Sequence, residues 1–248
     1  IKLECAPYFD GKEKISMLSE AAKNFSNAEK FLGMSGREKA YLCLEARKER
    51  CEVEAALEEG DYNGIISLQA EIASAYPKDD PCGWIHRYNL ALLELEILSR
   101  ENVYGEKLSR LNKLLKDSKE VAERLEREEQ YDVASEAYLL LGVVGYKMVK
   151  LLLTEKARRT ILRECYEALK KAYRYARRQV RNDLTVRSLI LMPKVVSEYS
   201  EVAESDVLRA NLVREGAAYG REALNEVKRF PEGSPIVGEL YSSMVSYL

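Results

Sequence analysis

Histidine occurs once, at His86, and tryptophan once, at Trp84. A lone imidazole leaves nothing from which to assemble a multi-histidine metal site, and only one place at which a His-dependent triad could be built. The five cysteines, Cys5, Cys43, Cys51, Cys82 and Cys165, are odd in number, scattered and without a C-x-x-C pair. Neither a disulfide framework nor a zinc site is supported, and a reducing, cytoplasmic setting is expected. Six prolines and thirteen glycines are too few and too widely spaced for a sheet protein, which needs a turn about every eight to twelve residues. No apolar run nears the roughly 20 residues that span a bilayer, and no signal peptide opens the chain. Neither a phosphate-cradling G-x-x-x-x-G-K-S/T loop nor a dinucleotide G-x-G-x-x-G fingerprint is present. These absences lead to the expectation of a non-enzymatic chain with no metal and no cofactor.

What is present is helical periodicity. Apolar residues recur at three and four positions, beginning with Ile15, Leu18, Ala22, Phe25 and Leu32. Stop and cap signals divide the rest. Gly33 ends the first stripe, Ser35 with Glu38 forms a capping box, Gly60 closes the second helix, and Asp61 opens a third that ends at Pro77. Asp80 followed by Pro81 starts the fourth, and Gly105 separates it from the fifth, which carries Leu108, Leu111, Leu115, Ala122 and Leu125. A break at Glu129 and Gln130 leads to a sixth from about Tyr131 to Leu153. Thr154 caps a seventh that reaches about Arg181. Asn182 and Asp183 then offer a stop and the next N-cap, and Pro193 predicts a kink in the eighth helix. Ser205 or Asp206 caps the ninth, and Ser234 with Pro235 opens a tenth. About ten antiparallel helices with short links predict an all-α array of αα-hairpins.

The net charge of -2 conceals an uneven distribution: residues 155–187 carry eleven Lys/Arg against four Asp/Glu, so the remainder sums to about -9. The chain therefore reads as one domain over 1–248, with a soft boundary near 154 between an acidic first half and a basic second half. On the seventh helix Arg159, Arg163, Lys170, Arg174, Arg177 and Arg181 recur at three, four or seven residues and share one face. Ile161, Cys165, Ala168, Leu169, Ala172, Ala176 and Val180 mark the opposite side as core. Two readings of the stripe stand side by side: pairing with carboxylates of neighbouring helices, or an exposed row of arginine forks for an anionic partner. Tyr166, Tyr173 and Tyr175 would offer stacking surfaces if that partner were nucleic acid, although the acidic whole-chain charge favours an acidic protein or peptide.

Residues 60–77, running from Gly60, Asp61 and Tyr62 to Tyr76 and Pro77, resemble the turn and second helix of a tetratricopeptide repeat. Arg87, Tyr88, Asn89, Leu90 and Ala91 resemble the opening of a following repeat, and Tyr131, Asp132, Val133 and Ala134 a further second helix. At about 25 residues per helix the chain is more similar to the long-helix relatives of that family than to the regular 34-residue form. The resemblance implies a right-handed αα-hairpin superhelix acting as a scaffold, adaptor or regulatory part of a larger protein, with a nucleic-acid-associated regulator as the alternative. It also implies that Asn89 donates to a ligand backbone. Two further expectations concern the ends and the source. Val237, Leu240, Tyr241, Met244, Val245 and Leu248 make the last helix apolar enough to pack onto a continuation of the chain or, as a homo-oligomer, onto another copy, and Ile1 in place of an initiator Met points to a piece of a longer protein. Only three glutamines among so many charged residues suggest a thermophilic source.

Overall fold

Charged and straight-chain residues on the outer faces and apolar stripes on the inner ones give helices. The computed structural model describes residues 11–33, 48–49, 52, 70, 72–77, 80–100 and 104–227, and all regular structure among them is helical. Seven helices have defined bounds there: α1 (Gly11–Gly33), α2 (Pro81–Arg100), α3 (Tyr104–Arg127), α4 (Tyr131–Val149), α5 (Glu155–Arg178), α6 (Asn182–Glu201) and α7 (Asp206–Val227). The expected helices over 35–60, 61–77 and 234–248 lie wholly or largely outside the described residues, and with them most of the Gly60 to Pro77 motif.

The chain forms two compact units, one of Ile1–Arg100 with Arg124–Gln130 and one of Glu101–Glu123 with Tyr131–Leu248. In the first, Asp80 caps α2 as its sequence predicts, its Oδ1 accepting from the Cys82 N–H at 2.8 Å. His86 is fully buried, stacked on Tyr76 at 4.8 Å, with Nδ1 2.9 Å from Glu49 Oε2. The arginines Arg87 and Arg124 lie over the Trp84 ring at 4.4 and 6.0 Å.

In the second unit consecutive helices pack as antiparallel hairpins: α4 on α5, α5 on α6, α6 on α7, with α4 also reaching α6. Close approach of α4 to α5 depends on two glycines. A β-carbon at Gly142 would lie 2.6 Å from Leu169 Cδ2, and one at Gly145 would collide with the Cys165 sulfur. Thr154 caps α5, accepting from the Ala157 N–H at 3.4 Å, and Ser205 caps α7, accepting from the Leu208 N–H at 3.2 Å.

The helix starts repeat. Those of α3, α4 and α5 at Tyr104, Tyr131 and Glu155 return at Glu155, Asn182 and Asp206, a constant offset of 51 residues. The turns keep the same phase. Glu129 and Val180 are the two non-glycine residues of positive φ, at 58° and 57°, among the described residues. In each turn the amide after that residue bonds five residues back, Gln130 to the Leu125 carbonyl at 2.9 Å and Arg181 to the Ala176 carbonyl at 2.8 Å, the hydrogen bond of a Schellman stop. Burial follows the same offset: Leu111 and Leu162, Leu114 and Cys165, Ser118 and Leu169, Val121 and Ala172, and Leu125 and Ala176 are all buried.

Three sequence expectations change. Helix α4 ends at Val149 rather than Leu153, and Leu153 is 91% exposed. The stop after α5 is Val180, not Asn182, and its left-handed backbone turns the side chain out to 77% exposure instead of into the core. The N-cap of α6 is Arg181, without a side-chain cap bond, because Asp183 binds the Arg181 guanidinium instead. Pro193 is buried inside α6, which runs from Asn182 to Glu201.

Candidate functional site

Helix α5 contributes two adjacent faces. The first is the basic row, and its members have unlike fates. At its start, Arg159 Nε donates to the Val202 carbonyl at 2.6 Å and Nη1 to Glu204 at 3.0 Å, so this guanidinium satisfies the C-terminal end of α6. Towards its end, Arg177 Nη1 lies 2.7 Å from Glu222 on α7 and 2.9 Å from the Tyr173 hydroxyl. Arg181 is nearly buried between Glu136 at 2.9 Å and Asp183 at 3.3 Å. Burial alone would lower its pKa, but the two carboxylates carry the net shift upward and hold it charged. Three of the six cations are therefore structural ties.

The middle of the row differs. Lys170 Nζ stands 3.6 Å from Glu167 and 4.7 Å over the Tyr166 ring. Arg163 and Arg174 form no ion pair among the described residues; Arg174 is exposed, with its guanidinium 5.8 Å from the Tyr175 ring. The tyrosines of this helix face inward or sideways: Tyr166 is buried against Tyr199, Tyr175 against Tyr131 and Tyr138, and Tyr173 meets Tyr219 edge-on at 6.0 Å. Burial pushes the Tyr173 hydroxyl up to about 12, and Glu222 adds to the shift.

The second face, which the sequence reading did not single out, opens into a cleft of about 440 Å³ bounded by α3, α4 and α5. Leu141 and Ala168 lie buried at its floor, and Lys119, Lys171 and Arg163 stand among Glu123, Glu164 and Glu167. Lys119 Nζ is 2.5 Å from Glu164, and that hydrogen bond raises the lysine pKa against the opposing effect of burial. Lys171 Nζ donates to the Tyr138 hydroxyl at 3.0 Å. Arg163 belongs to both faces. The signal in the sequence was the row Thr160, Glu164, Glu167 and Lys171 at helical spacing beside Lys119 and Glu123; without knowing which helix lies opposite, it reads as an ordinary solvated face.

Asn89, implied as a ligand donor by the resemblance, is 1% exposed, so its amide is closed to a ligand at the surface. Cys165 is fully buried, and burial pushes its thiol up to about 12, the opposite of an activated nucleophile. Among the described residues no group of three His, Cys, Asp or Glu side chains could hold a metal ion, and no helix is long and apolar enough to cross a membrane.

Neither a protein-family model nor a curated protein sequence matches this chain.

Proposed function

We propose that this chain is a non-enzymatic interaction scaffold or adaptor, a long-helix relative of the tetratricopeptide-like superhelices, that holds an acidic protein or peptide segment along α5. The observation that carries this reading is the division within the basic row. Arg159, Arg177 and Arg181 are engaged with Glu204, Glu222, Glu136 and Asp183, while Arg163 and Arg174 leave two guanidinium forks without a carboxylate among the described residues. A fork of five donors held on a rigid helix is suited to carboxylates. The 51-residue offset supports the repeat architecture, since hairpins that cannot bury their own apolar faces must stack on neighbours. An acidic protein is favoured over nucleic acid because Tyr166 and Tyr175 are in the core rather than available for base stacking.

The test is capture of partners from a lysate of the source cells, with and without nuclease, by wild type, by Arg163→Glu/Arg174→Glu and by Arg187→Glu on the exposed side of α6. Arg159, Arg177 and Arg181 are left intact, so folding is preserved. A nuclease-resistant protein partner that is lost only with the double variant is the expected result. Partners released by nuclease would transfer the reading to nucleic acid, and identical capture by all three proteins would refute the α5 surface.

A further inference from the structure

Resting on the reading of an acidic partner along α5, we propose that the bound part of that partner is an unfolded, extended acidic segment laid over the outward row of Arg163, Arg174 and Arg178. At 1.5 Å and 100° per residue the row is about 22 Å long, and its three side chains leave the helix within about 60° of one another. About seven residues of extended chain cover that length. All three arginines are exposed, and none has an ion pair among the described residues. The one carboxylate in the row, Glu167, stands 3.6 Å from Lys170, which balances it. The row therefore keeps a surplus of positive charge on Arg163, Arg174 and Arg178.

Width and composition together select the occupant. On both flanks the charge is already balanced: towards α3, Glu164 meets Lys119 at 2.5 Å, and towards α7, Glu222 meets Arg177 at 2.7 Å. The surplus is thus one helix wide. A nucleic-acid duplex or an anionic bilayer is broader and would set phosphates against those carboxylates as well. A single strand would find no free ring to stack on, because Tyr166 and Tyr175 are buried and Tyr173 meets Tyr219. Every exposed residue of α5 is charged except Thr160. A folded partner has an apolar patch at the centre of its interface, and this row offers nothing apolar to meet it. An acidic segment too poor in apolar residues to fold has no such patch to bury, and its carboxylates can take the guanidinium forks through paired hydrogen bonds.

The experiment measures fluorescence anisotropy of a short labelled peptide alternating glutamate and serine. The comparisons are peptides alternating glutamine with serine and glutamate with leucine, a helix-locked peptide with the same glutamates on one face, and an oligothymidylate. The full chain is titrated as wild type, as Arg163→Gln, Arg174→Gln and Arg178→Gln singly and together, and as Arg187→Gln, with circular dichroism to verify folding. The glutamate and serine peptide is expected to bind, and to bind less tightly as salt is raised from low to physiological ionic strength. Each single change in the row should weaken it about two- to fivefold, as exposed ion pairs do, and the triple change at least about tenfold. Arg187→Gln should change it less than about twofold. Replacing serine by leucine, or locking the helix, should bring no gain. Amide shift changes are expected at Arg163, Glu167, Arg174 and Arg178.

Tighter binding of the leucine-containing or helix-locked peptide would overturn the unfolded segment and point to a partner that packs. Equal losses in Arg187→Gln and in the triple variant, or equal binding of the oligothymidylate, would overturn it as nonspecific attraction. Shift changes centred on Lys119 and Glu164 would place the peptide off the row and overturn it too. So would the absence of binding by wild type; if a nuclease-resistant partner were still captured through Arg163 and Arg174, the acidic-partner reading would stand with a folded partner in place of the segment.

Discussion

Replacing Gly145 by alanine tests the contact on which the α4–α5 hairpin depends. The added methyl would enter the space of the buried Cys165 sulfur and cannot lean away, because Leu115 Cδ1 lies 3.3 Å and Ile161 Cγ2 3.4 Å from it on other sides. Overpacking of this kind costs about 1–3 kcal/mol, against about 1 kcal/mol gained from the better helix propensity of alanine. Cys165→Ala alone removes roughly a methyl-sized group from the core and costs about 0.5–1.5 kcal/mol. In the double variant the new methyl occupies the volume the sulfur vacated, so the pair should be more stable than the sum of the single changes by about 1–2 kcal/mol. For a chain of this size that is a Tm difference of roughly 2–8 °C. Thermal and urea unfolding of the four proteins, followed by far-ultraviolet circular dichroism, measures it; tryptophan fluorescence would not serve, because Trp84 belongs to the first unit. Additivity within about 0.5 kcal/mol would mean the two residues do not meet, and the packing described for this hairpin would be wrong.

Val180→Gly should raise stability by about 0.5–1 kcal/mol, since a left-handed backbone costs an L-residue about 1–2 kcal/mol and glycine returns part of that as backbone entropy; a Tm that falls would contradict the positive φ. Arg181→Met should cost about 3–5 kcal/mol by leaving Glu136 and Asp183 buried beside each other, whereas exposed Arg174→Met should stay within about 0.5 kcal/mol, both read from urea midpoints. Because burial raises the Cys165 thiol to about 12 in the native state, the unfolded chain gives up this proton first. Its contribution is complete below about pH 8.5 and shrinks as pH rises toward 12, so stability should decline over that window and decline less in Cys165→Ala. A native thiol that reacts with a disulfide reagent at pH 8 as fast as in denaturant would refute its burial.

Period and punctuation carry far in this sequence. The apolar stripes, Asp80 with Pro81, Thr154 and Ser205 mark helix starts that the structure keeps, because a cap bond needs only one side chain and its own backbone. What escaped is whatever depends on a second helix. Val180 continues the apolar stripe of α5, yet the chain must reverse there, and the hydrogen bonds of the stop outweigh burial of one valine. Asn182 and Asp183 resemble caps, but both lie inside α6, and Asp183 binds Arg181. The stripe itself was legible as a row of cations; which of them are ties and which are available was not, since Glu136, Glu204 and Glu222 lie at sequence distances that no local pattern connects to α5.

The 51-residue repeat illustrates the same limit at the scale of the fold. Among the buried pairs it relates on α3 and α5, only Leu111 and Leu162 are the same residue; Ser118 answers to Leu169, and on the partner helices Gly145 answers to Val196. A packed interface fixes the sum of the volumes that meet rather than each one, so a large leucine at 169 requires a glycine opposite at 142, and identity can drift while burial and phase are conserved. Surface residues are free of even that constraint. Arg163 has Asn112 as its counterpart one repeat earlier, so this exposed guanidinium without an ion pair among the described residues belongs to this hairpin and not to the repeat. A binding specificity resting on Arg163 would therefore be a property added to one rung of a repeating scaffold, and moving it should be possible: Asn112→Arg would place a second fork in the same phase on α3, where acidic-peptide binding should strengthen if position in the repeat, rather than the particular environment of α5, is what the partner reads.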